Sequence, residues 1–141
     1  MDFDRWQPWF HSCLIFLGGG WGSISRYWLS RAIQQHWGAS LDSTLGIVGA
    51  KFPWGTLGVN VGGCFVIGLI LALADRHLLS REQTLLLATG FCGGFTTFSS
   101  FAYESQGLLD DRRWELALAY SLGSVVLGGV ATGLGLFLGR R

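Results

Sequence analysis

The sequence predicts an all-α integral membrane protein with four transmembrane helices per subunit, and three observations support this fold class. Only 13% of the 141 residues are charged and 50% are hydrophobic, whereas a soluble domain usually carries about a quarter charged residues. The charges are clustered, so four long windows are almost free of them. The basic residues are also divided equally between the two sides of the membrane that four spans would define, which favours an antiparallel (inverted, dual-topology) homodimer.

Each of the four windows is close to the roughly 20 residues that a helix needs to cross a bilayer. The windows are residues 10–30, 54–74, 84–107 and 115–138. Because the connections between them are short, we expect one four-helix membrane domain over residues 1–141 and no soluble domain. Three further spans follow the first window, so we interpret it as a membrane helix and not as a cleaved signal peptide.

The inverted arrangement follows from the basic residues. Each side of the membrane would carry five of them: Arg5, Arg76, Arg81, Arg140 and Arg141 on one side, and Arg26, Arg31, Lys51, Arg112 and Arg113 on the other. An excess of Lys and Arg normally marks the cytoplasmic side, and here there is none. We infer that the chain inserts in both directions and pairs with an inverted copy of itself. The alternative, in which Arg26 lies within the first span, changes the balance by only one charge.

Glycine spacing predicts tight packing of the four helices. Five pairs match the small-xxx-small pattern that lets helix backbones approach closely: Gly18 and Gly22, Gly58 and Gly62, Gly90 and Gly94, Gly129 and Gly133, and Gly135 and Gly139. A four-helix subunit has little interior of its own, so oligomerisation is the natural extension of this packing.

The first two windows each carry a strongly polar side chain. Arg26 lies near the end of the first, where it either reaches the headgroups or faces a water-filled vestibule and attracts anions. Asn60 lies in the second, one turn after Thr56 and on the same helix face. Asn60 either forms an interhelical hydrogen bond or donates to a dehydrated anion, and with Thr56 it would then line a polar track.

The third window contains the segment GFCGGFTTFSSF, residues 90–101. The pair Gly93 and Gly94 predicts a break near the middle of this helix. Such a break is tolerated at membrane depth only where the backbone is buried in protein or lines a cavity, and its freed carbonyl groups could bind a cation such as Na⁺. In an ideal helix the phenylalanines at 91, 95, 98 and 101 would form one stripe, used for packing or to present positive ring edges to an anion. The hydroxyls of Thr96, Thr97, Ser99 and Ser100 either bond back to the helix or face a conduit.

Three more polar residues complete the candidates. Glu104 is the only carboxylate well inside a window, and it either pairs with Arg26 or another interfacial group or handles protons or ions. Tyr120 and Ser124 lie one turn apart on one face of the fourth window.

Other classes of function find little support in the sequence. The three cysteines and three histidines show no metal-binding spacing, and no Ser-His-Asp set, carboxylate pair or phosphate-binding loop is present. An enzyme is therefore not expected. A net charge of +1 gives no basic face for nucleic acid.

Three motifs together resemble the Fluc family of fluoride channels, also called CrcB. They are GGGWGSISRY in the first window, FPWGTLGVNVGGCFVIG in the second and GFCGGFTTFSSF in the third. The resemblance covers all four windows in order. It implies a homodimer of inverted subunits with two fluoride pores and a structural Na⁺ at its centre. Ser100 stands where threonine is usual in the family, and Cys64 stands where serine is expected.

The same resemblance implies roles for individual residues. Gly93 and Thr96 match the residues whose backbone carbonyls hold Na⁺, and Phe98 and Phe101 match the paired phenylalanines whose ring edges line the fluoride path. The remaining matches are the pore asparagine, the vestibule arginine, a carboxylate near the pore and the polar track: Asn60, Arg26, Glu104, and Ser99, Ser100, Tyr120 and Ser124.

The sequence thus predicts a passive, fluoride-selective channel of a bacterial plasma (inner) membrane that exports cytoplasmic F⁻ and lowers its toxicity. One alternative is a small dual-topology multidrug exporter, which would require a carboxylate in the first span. Another is a packing or assembly subunit without transport activity, for which glycine-rich spans alone would suffice.

Overall fold

The computed structural model describes residues 3–47 and 51–141, and these ranges are helical, with no strand. In chain order the α-helices are α1 (Phe3–Ile33), α2 (Ala39–Thr44), α3 (Trp54–Asp75), α4 (Arg81–Thr84), α5 (Gly93–Phe95), α6 (Phe98–Asp110) and α7 (Trp114–Gly139). A π-helical turn, Gln34–Gly38, joins α1 to α2, and a π-helical segment, Leu85–Cys92, joins α4 to α5. We call residues 81–110, from the start of α4 to the end of α6, the third rod.

Among the described residues, three helical stretches are long and apolar enough to cross a membrane: Trp54–Asp75, Arg81–Asp110 and Trp114–Gly139. They contain the second, third and fourth predicted windows. The first window falls in α1, which has 31 residues but is not one of the three. Its glycines, its serines and Arg26 dilute its apolar content. Length and composition together therefore indicate a membrane protein, and α1 is a fourth long helix packed into the same bundle.

Two tight helix crossings hold the bundle together. The N-terminal half of the third rod packs against α1, and α3 packs along α7. At the first crossing, a Cβ atom added at Gly22 would collide with the carbonyl oxygen of Phe91, and one added at Gly94 would collide with that of Gly19. Only glycine permits this approach, which confirms the packing role of Gly18xxxGly22 and Gly90xxxGly94. By contrast, added Cβ atoms at Gly129 and Gly133 would meet nothing within 4 Å in the described part of the subunit.

The third rod is interrupted, but not where the glycines predicted. Gly93 is helical, with φ −62° and ψ −37°, and the helix continues to Phe95. The extended residues are Thr96, with ψ 157°, and Thr97, with φ −147° and ψ 120°. The α1 crossing uses Gly94 as part of a compact helix, whereas the N–H of Thr97 bonds to a side chain of another helix and so leaves the helical pattern.

Candidate functional site

Asn60 fixes the interruption of the third rod from α3. Its amide Nδ2 donates to the carbonyl oxygen of Thr97 at 3.0 Å, and its Oδ1 accepts from the Thr97 N–H at 2.8 Å. Both backbone groups of Thr97 are thereby paired within a stretch long and apolar enough to cross a membrane. An unpaired polar group in such surroundings costs several kcal/mol, so this side chain makes the extended conformation tenable. Of the two roles left open for Asn60, the interhelical hydrogen bond is present.

Thr97 also starts the second half of the rod. Its hydroxyl accepts from the N–H of Ser100 at 3.2 Å, which is the usual bond of an N-cap. The same hydroxyl lies 3.2 Å from the Ser99 hydroxyl and 3.1 Å from that of Ser100. Three hydroxyls therefore cluster at the N-terminus of α6, where the helix dipole is positive.

The interruption frees backbone carbonyls of the preceding turn. In an uninterrupted helix the Gly93 carbonyl would accept from the Thr97 N–H, and the Thr96 carbonyl from the Ser100 N–H. Those two N–H groups instead bond to Asn60 and to the Thr97 hydroxyl. The residues predicted to bind Na⁺ thus carry carbonyl oxygens released from helical bonding, and such oxygens are hard ligands suited to that ion.

Arg26 bonds to a third carbonyl at the interruption. Its Nε donates to the Gly94 oxygen at 3.0 Å, and the hydroxyl of Ser23 lies 3.4 Å from the same oxygen. The arginine is half-buried against the end of α5. These contacts hold the Arg26 side chain at the interruption of the third rod.

Glu104 joins α3 to α7 through two short hydrogen bonds. The Thr56 hydroxyl donates to Oε1 and the Tyr120 hydroxyl donates to Oε2, each at 2.7 Å. Tyr120 is 1% exposed and packs in a cluster with Phe52, Leu108 and Ala117. Of the partners left open for Glu104, the structure shows Thr56 and Tyr120, whereas Arg26 bonds to the Gly94 carbonyl.

The phenylalanines form two separate pairs and not one stripe. Phe91 and Phe95 stack with ring centroids 5.5 Å apart, and Phe98 and Phe101 lie 5.7 Å apart at an angle of 44°. The extended residues between the pairs change the direction of the rod. Phe95 is 7% exposed, whereas Phe98 is 79% exposed. The second pair is therefore the one available to a passing ion or to a second subunit.

A cavity of about 500 Å³ lies beside the interruption. Its wall brings together residues that the sequence singled out from three different windows: Asn60, Gly93, Thr96, Phe98, Phe101 and Ser124. The Ser124 hydroxyl is buried and has no hydrogen-bond partner among the described residues. An unpaired buried hydroxyl beside a cavity is a donor available to a ligand.

A second, more polar cavity of about 380 Å³ lies beside Glu104. Thr56 and Glu104 form part of its wall, and Ser30, Arg31, Gln34, Gln35 and Gly55 form the rest. Thr56 and Asn60 are one turn apart on α3, as are Phe101 and Glu104 on α6. The two cavities are therefore neighbours, about one helical turn apart along α3 and α6. Neither is lined by Arg26.

Sequence reasoning missed two contributors to this site. The sequence predicts Thr97 only as one hydroxyl of four, although a threonine followed by FSSF is a recognisable N-cap. Gln34 is the second contributor and is not among the predicted residues. Its side chain donates to the Phe52 carbonyl and accepts from the Gly55 N–H, which fixes the start of α3, and no local pattern in the sequence signals that contact.

The fold and the site together define a helical membrane protein with an interrupted helix and two cavities that are lined in part by polar side chains, an architecture typical of channels and transporters. The chain belongs to the CrcB family: the family model described as "CrcB-like protein, Camphor Resistance (CrcB)" matches residues 13–136.

Relatives that share one name match about nine-tenths of the chain. A protein of Solidesulfovibrio magneticus named "Fluoride-specific ion channel FluC" is 46% identical over 128 residues, which is 89% of this chain and 93% of that protein. Proteins with the same name are 41% identical over 128 residues in Gloeothece citriformis, covering 91% and 95% of the two chains, and 45% identical over 126 residues in Thermus thermophilus, covering 89% and 92%.

Proposed function

We propose that this protein is a passive, fluoride-selective ion channel that works as an inverted homodimer in a bacterial plasma membrane. The names of its relatives support fluoride as the conducted ion. The observation that carries the proposal is the cavity beside the interruption of the third rod, because neutral hydrogen-bond donors and phenylalanine ring edges meet in its wall. On this proposal the protein conducts an ion and is not an enzyme.

The chemistry of the cavity suits a small, strongly hydrated anion. Fluoride gives up its hydration shell only where several donors replace it, yet a fixed cation at the same point would hold it too tightly to conduct. Ser124 offers an unpaired hydroxyl, Asn60 has a second amide hydrogen beside the one given to Thr97, and Phe98 and Phe101 offer positive ring edges. All of these groups are neutral.

The proposed fluoride path continues past Glu104 and its two hydrogen-bond partners into the second cavity. Thr56 and Tyr120 both donate to Glu104, so their hydroxyls are held at the divide between the cavities. Ser99 and Ser100 extend the hydroxyl track along the start of α6. Arg26 lies outside both cavities, and its fixed charge near the interruption favours anions in that region without binding them directly.

A structural Na⁺ is part of the proposal, and the residues at the interruption fit it. The Gly93 and Thr96 carbonyls have lost their helical partners, and a Cβ added at Gly93 would meet nothing within 4 Å in the described subunit. In an inverted dimer the same carbonyls of the second subunit would complete the coordination. Such an ion would bind the two interrupted rods to each other.

Exposed residues in the wall of the larger cavity support the proposal of a second subunit. Phe98 is 79% exposed and Val125 is 73% exposed, and both line the larger cavity. Gly129 and Gly133 form a small-residue face on α7 without a neighbour among the described residues. A second, inverted copy would cover these surfaces and close the cavity, in agreement with the balanced basic residues.

The test is fluoride efflux from liposomes that contain the purified protein. We expect rapid fluoride efflux with no chloride efflux, and a severe loss in Phe98→Ile. Phe16→Ile is the matched control, because Phe16 is 80% exposed on α1 and lines neither cavity. Absence of fluoride efflux from well-folded protein would disprove the channel. Equal efflux from both variants would remove Phe98 from the path.

Export follows from the driving force and needs no coupling ion. A negative-inside membrane potential drives F⁻ out of the cytoplasm through any open anion path. If efflux instead required a proton gradient or carried organic cations, the alternative of a small multidrug exporter would be favoured. The residues in window 10–30 include no carboxylate for that chemistry.

A further inference from the structure

Two of the three cysteines lie in the wall of the larger cavity. Cys64 is on α3, and Cys92 is the last residue of the π-helical segment. Cys92 is 1% exposed, Cys64 is half-buried, and the third cysteine, Cys13, is exposed on α1 and lines neither cavity. The proposed fluoride path uses none of these thiols.

The two cavity thiols are held on packed surfaces of α3 and the third rod. A Cβ added at Gly63, next to Cys64, would collide with the side chain of Thr96, one turn beyond Cys92. The sulfur of Cys64 lies 3.3 Å from the position a Cβ would take at Gly128, so α7 limits its movement on the other side. The antiparallel course of α3 and the third rod brings the two cysteines to the same level: Asn60 bonds to Thr97, and Ile67 packs against the buried cluster that contains Cys92. Cys64 lies between Asn60 and Ile67 on α3 and borders the same cavity as Cys92.

We propose that Cys64 and Cys92 form a binding site for a soft, two-coordinate metal ion such as Hg²⁺, and that occupation of this site stops conduction. Thiolate sulfur selects soft metal ions over hard ones. When the ion binds, each thiol releases one proton to water and forms one S–Hg bond, with no change in oxidation state. The product, one divalent ion with two thiolates, is neutral, and a neutral complex suits an apolar membrane interior better than a charged one.

The effect on conduction rests on the proposed function, because the same cavity is lined by Asn60, Phe98 and Phe101. A metal ion bridging α3 to the third rod would occupy part of the space that fluoride needs. It would also link the two elements whose relative position sets the interruption at Thr97. Occupation should therefore reduce flux both by obstruction and by restraint.

Metal retention tests the site without reference to transport. The full-length Cys13→Ser protein is loaded with one equivalent of Hg²⁺, washed with an excess of a monothiol, and analysed for bound mercury and free thiols. We expect mercury to be retained and both thiols to be protected. In Cys13→Ser combined with Cys64→Ser or with Cys92→Ser, a single S–Hg bond should exchange with the monothiol and the mercury should be lost. Equal retention in either double variant, or loss from Cys13→Ser, would overturn the site.

Fluoride efflux from liposomes tests the consequence. Hg²⁺ should abolish most of the efflux in Cys13→Ser and leave it unchanged in Cys13→Ser/Cys64→Ser, whose serine preserves the size of the side chain. Retained mercury with undiminished efflux would overturn the proposed block. If neither the wild-type protein nor Cys13→Ser conducts fluoride before mercury is added, although both are well folded, the channel proposal fails, while the retention assay still decides the metal site.

Discussion

Asn60 and Thr97 are joined by two hydrogen bonds of opposite direction, so one amide side chain satisfies both backbone groups of a residue on another helix. This pairing takes the Thr97 N–H away from the Gly93 carbonyl and ends the first half of the third rod. The interruption is therefore imposed by a contact between α3 and the rod, and the glycines before it are needed for the crossing with α1.

Replacing Asn60 by alanine should destabilise the protein and stop conduction. Loss of both bonds leaves the Thr97 N–H and carbonyl unpaired, which costs about 2 kcal/mol or more. We expect a lower midpoint of thermal unfolding in detergent and severely reduced fluoride efflux. Asn60→Asp is the matched variant, because it still accepts from the Thr97 N–H but cannot donate when ionised. The stability of Asn60→Asp should lie between those of the wild-type protein and Asn60→Ala. An Asn60→Ala protein as stable as wild type would contradict the role of the Asn60–Thr97 pair.

The Glu104–Tyr120 contact should be energetically coupled. The Tyr120 hydroxyl donates to Glu104 at 2.7 Å, and residues in direct contact show interaction energies of about 0.5–3 kcal/mol in double-mutant cycles. We expect Tyr120→Phe and Glu104→Ala each to lower the unfolding free energy, and the double variant to lose less than the sum. Strict additivity would show that the contact contributes nothing to stability. The same cycle with Ser105→Ala in place of Tyr120→Phe should be additive, because the Ser105 hydroxyl bonds to the Phe101 carbonyl.

Two glycines on α1 should respond oppositely to alanine. A Cβ at Gly22 would collide with the carbonyl oxygen of Phe91, whereas one at Gly20 would meet nothing within 4 Å in the described subunit. Gly22→Ala should separate α1 from the third rod and reduce the yield of monodisperse protein. Gly20→Ala should be neutral or slightly stabilising, since alanine favours the helix by about 1 kcal/mol. Similar yields for both variants would contradict the tight crossing.

Removal of sodium should lower the thermal midpoint of unfolding, and the size of this effect should not depend on the Thr96 side chain. If backbone carbonyls hold the ion, Thr96→Val removes the side-chain hydroxyl but retains the proposed ligand, and both proteins should show the same fall in thermal midpoint when Na⁺ is replaced by a bulky organic cation. A midpoint that is indifferent to Na⁺ in the wild-type protein would exclude the structural ion. A sodium effect lost in Thr96→Val would assign the ligand to the side-chain hydroxyl instead.

Much of the architecture was encoded locally. Long windows free of charge predicted the helices, and the pairs Gly18xxxGly22 and Gly90xxxGly94 predicted a close crossing that the structure confirms. Composition and spacing act within one helix or between neighbouring turns, so they can be read along the chain. The resemblance to the fluoride channels, carried by three short motifs, agrees with the family match over residues 13–136.

What the sequence by itself determined is the class of protein, its membrane-spanning helices and the residues that carry polar groups into them. Tertiary structure decided which of those groups meet: the interruption lies at Thr96 and Thr97 because Asn60 reaches it from α3, Arg26 bonds to Gly94, and Glu104 binds Thr56 and Tyr120. Each of these contacts joins residues distant in sequence. The hydrogen-bonding partner of a buried polar group depends on how the helices cross, and no periodicity within a single helix contains that information.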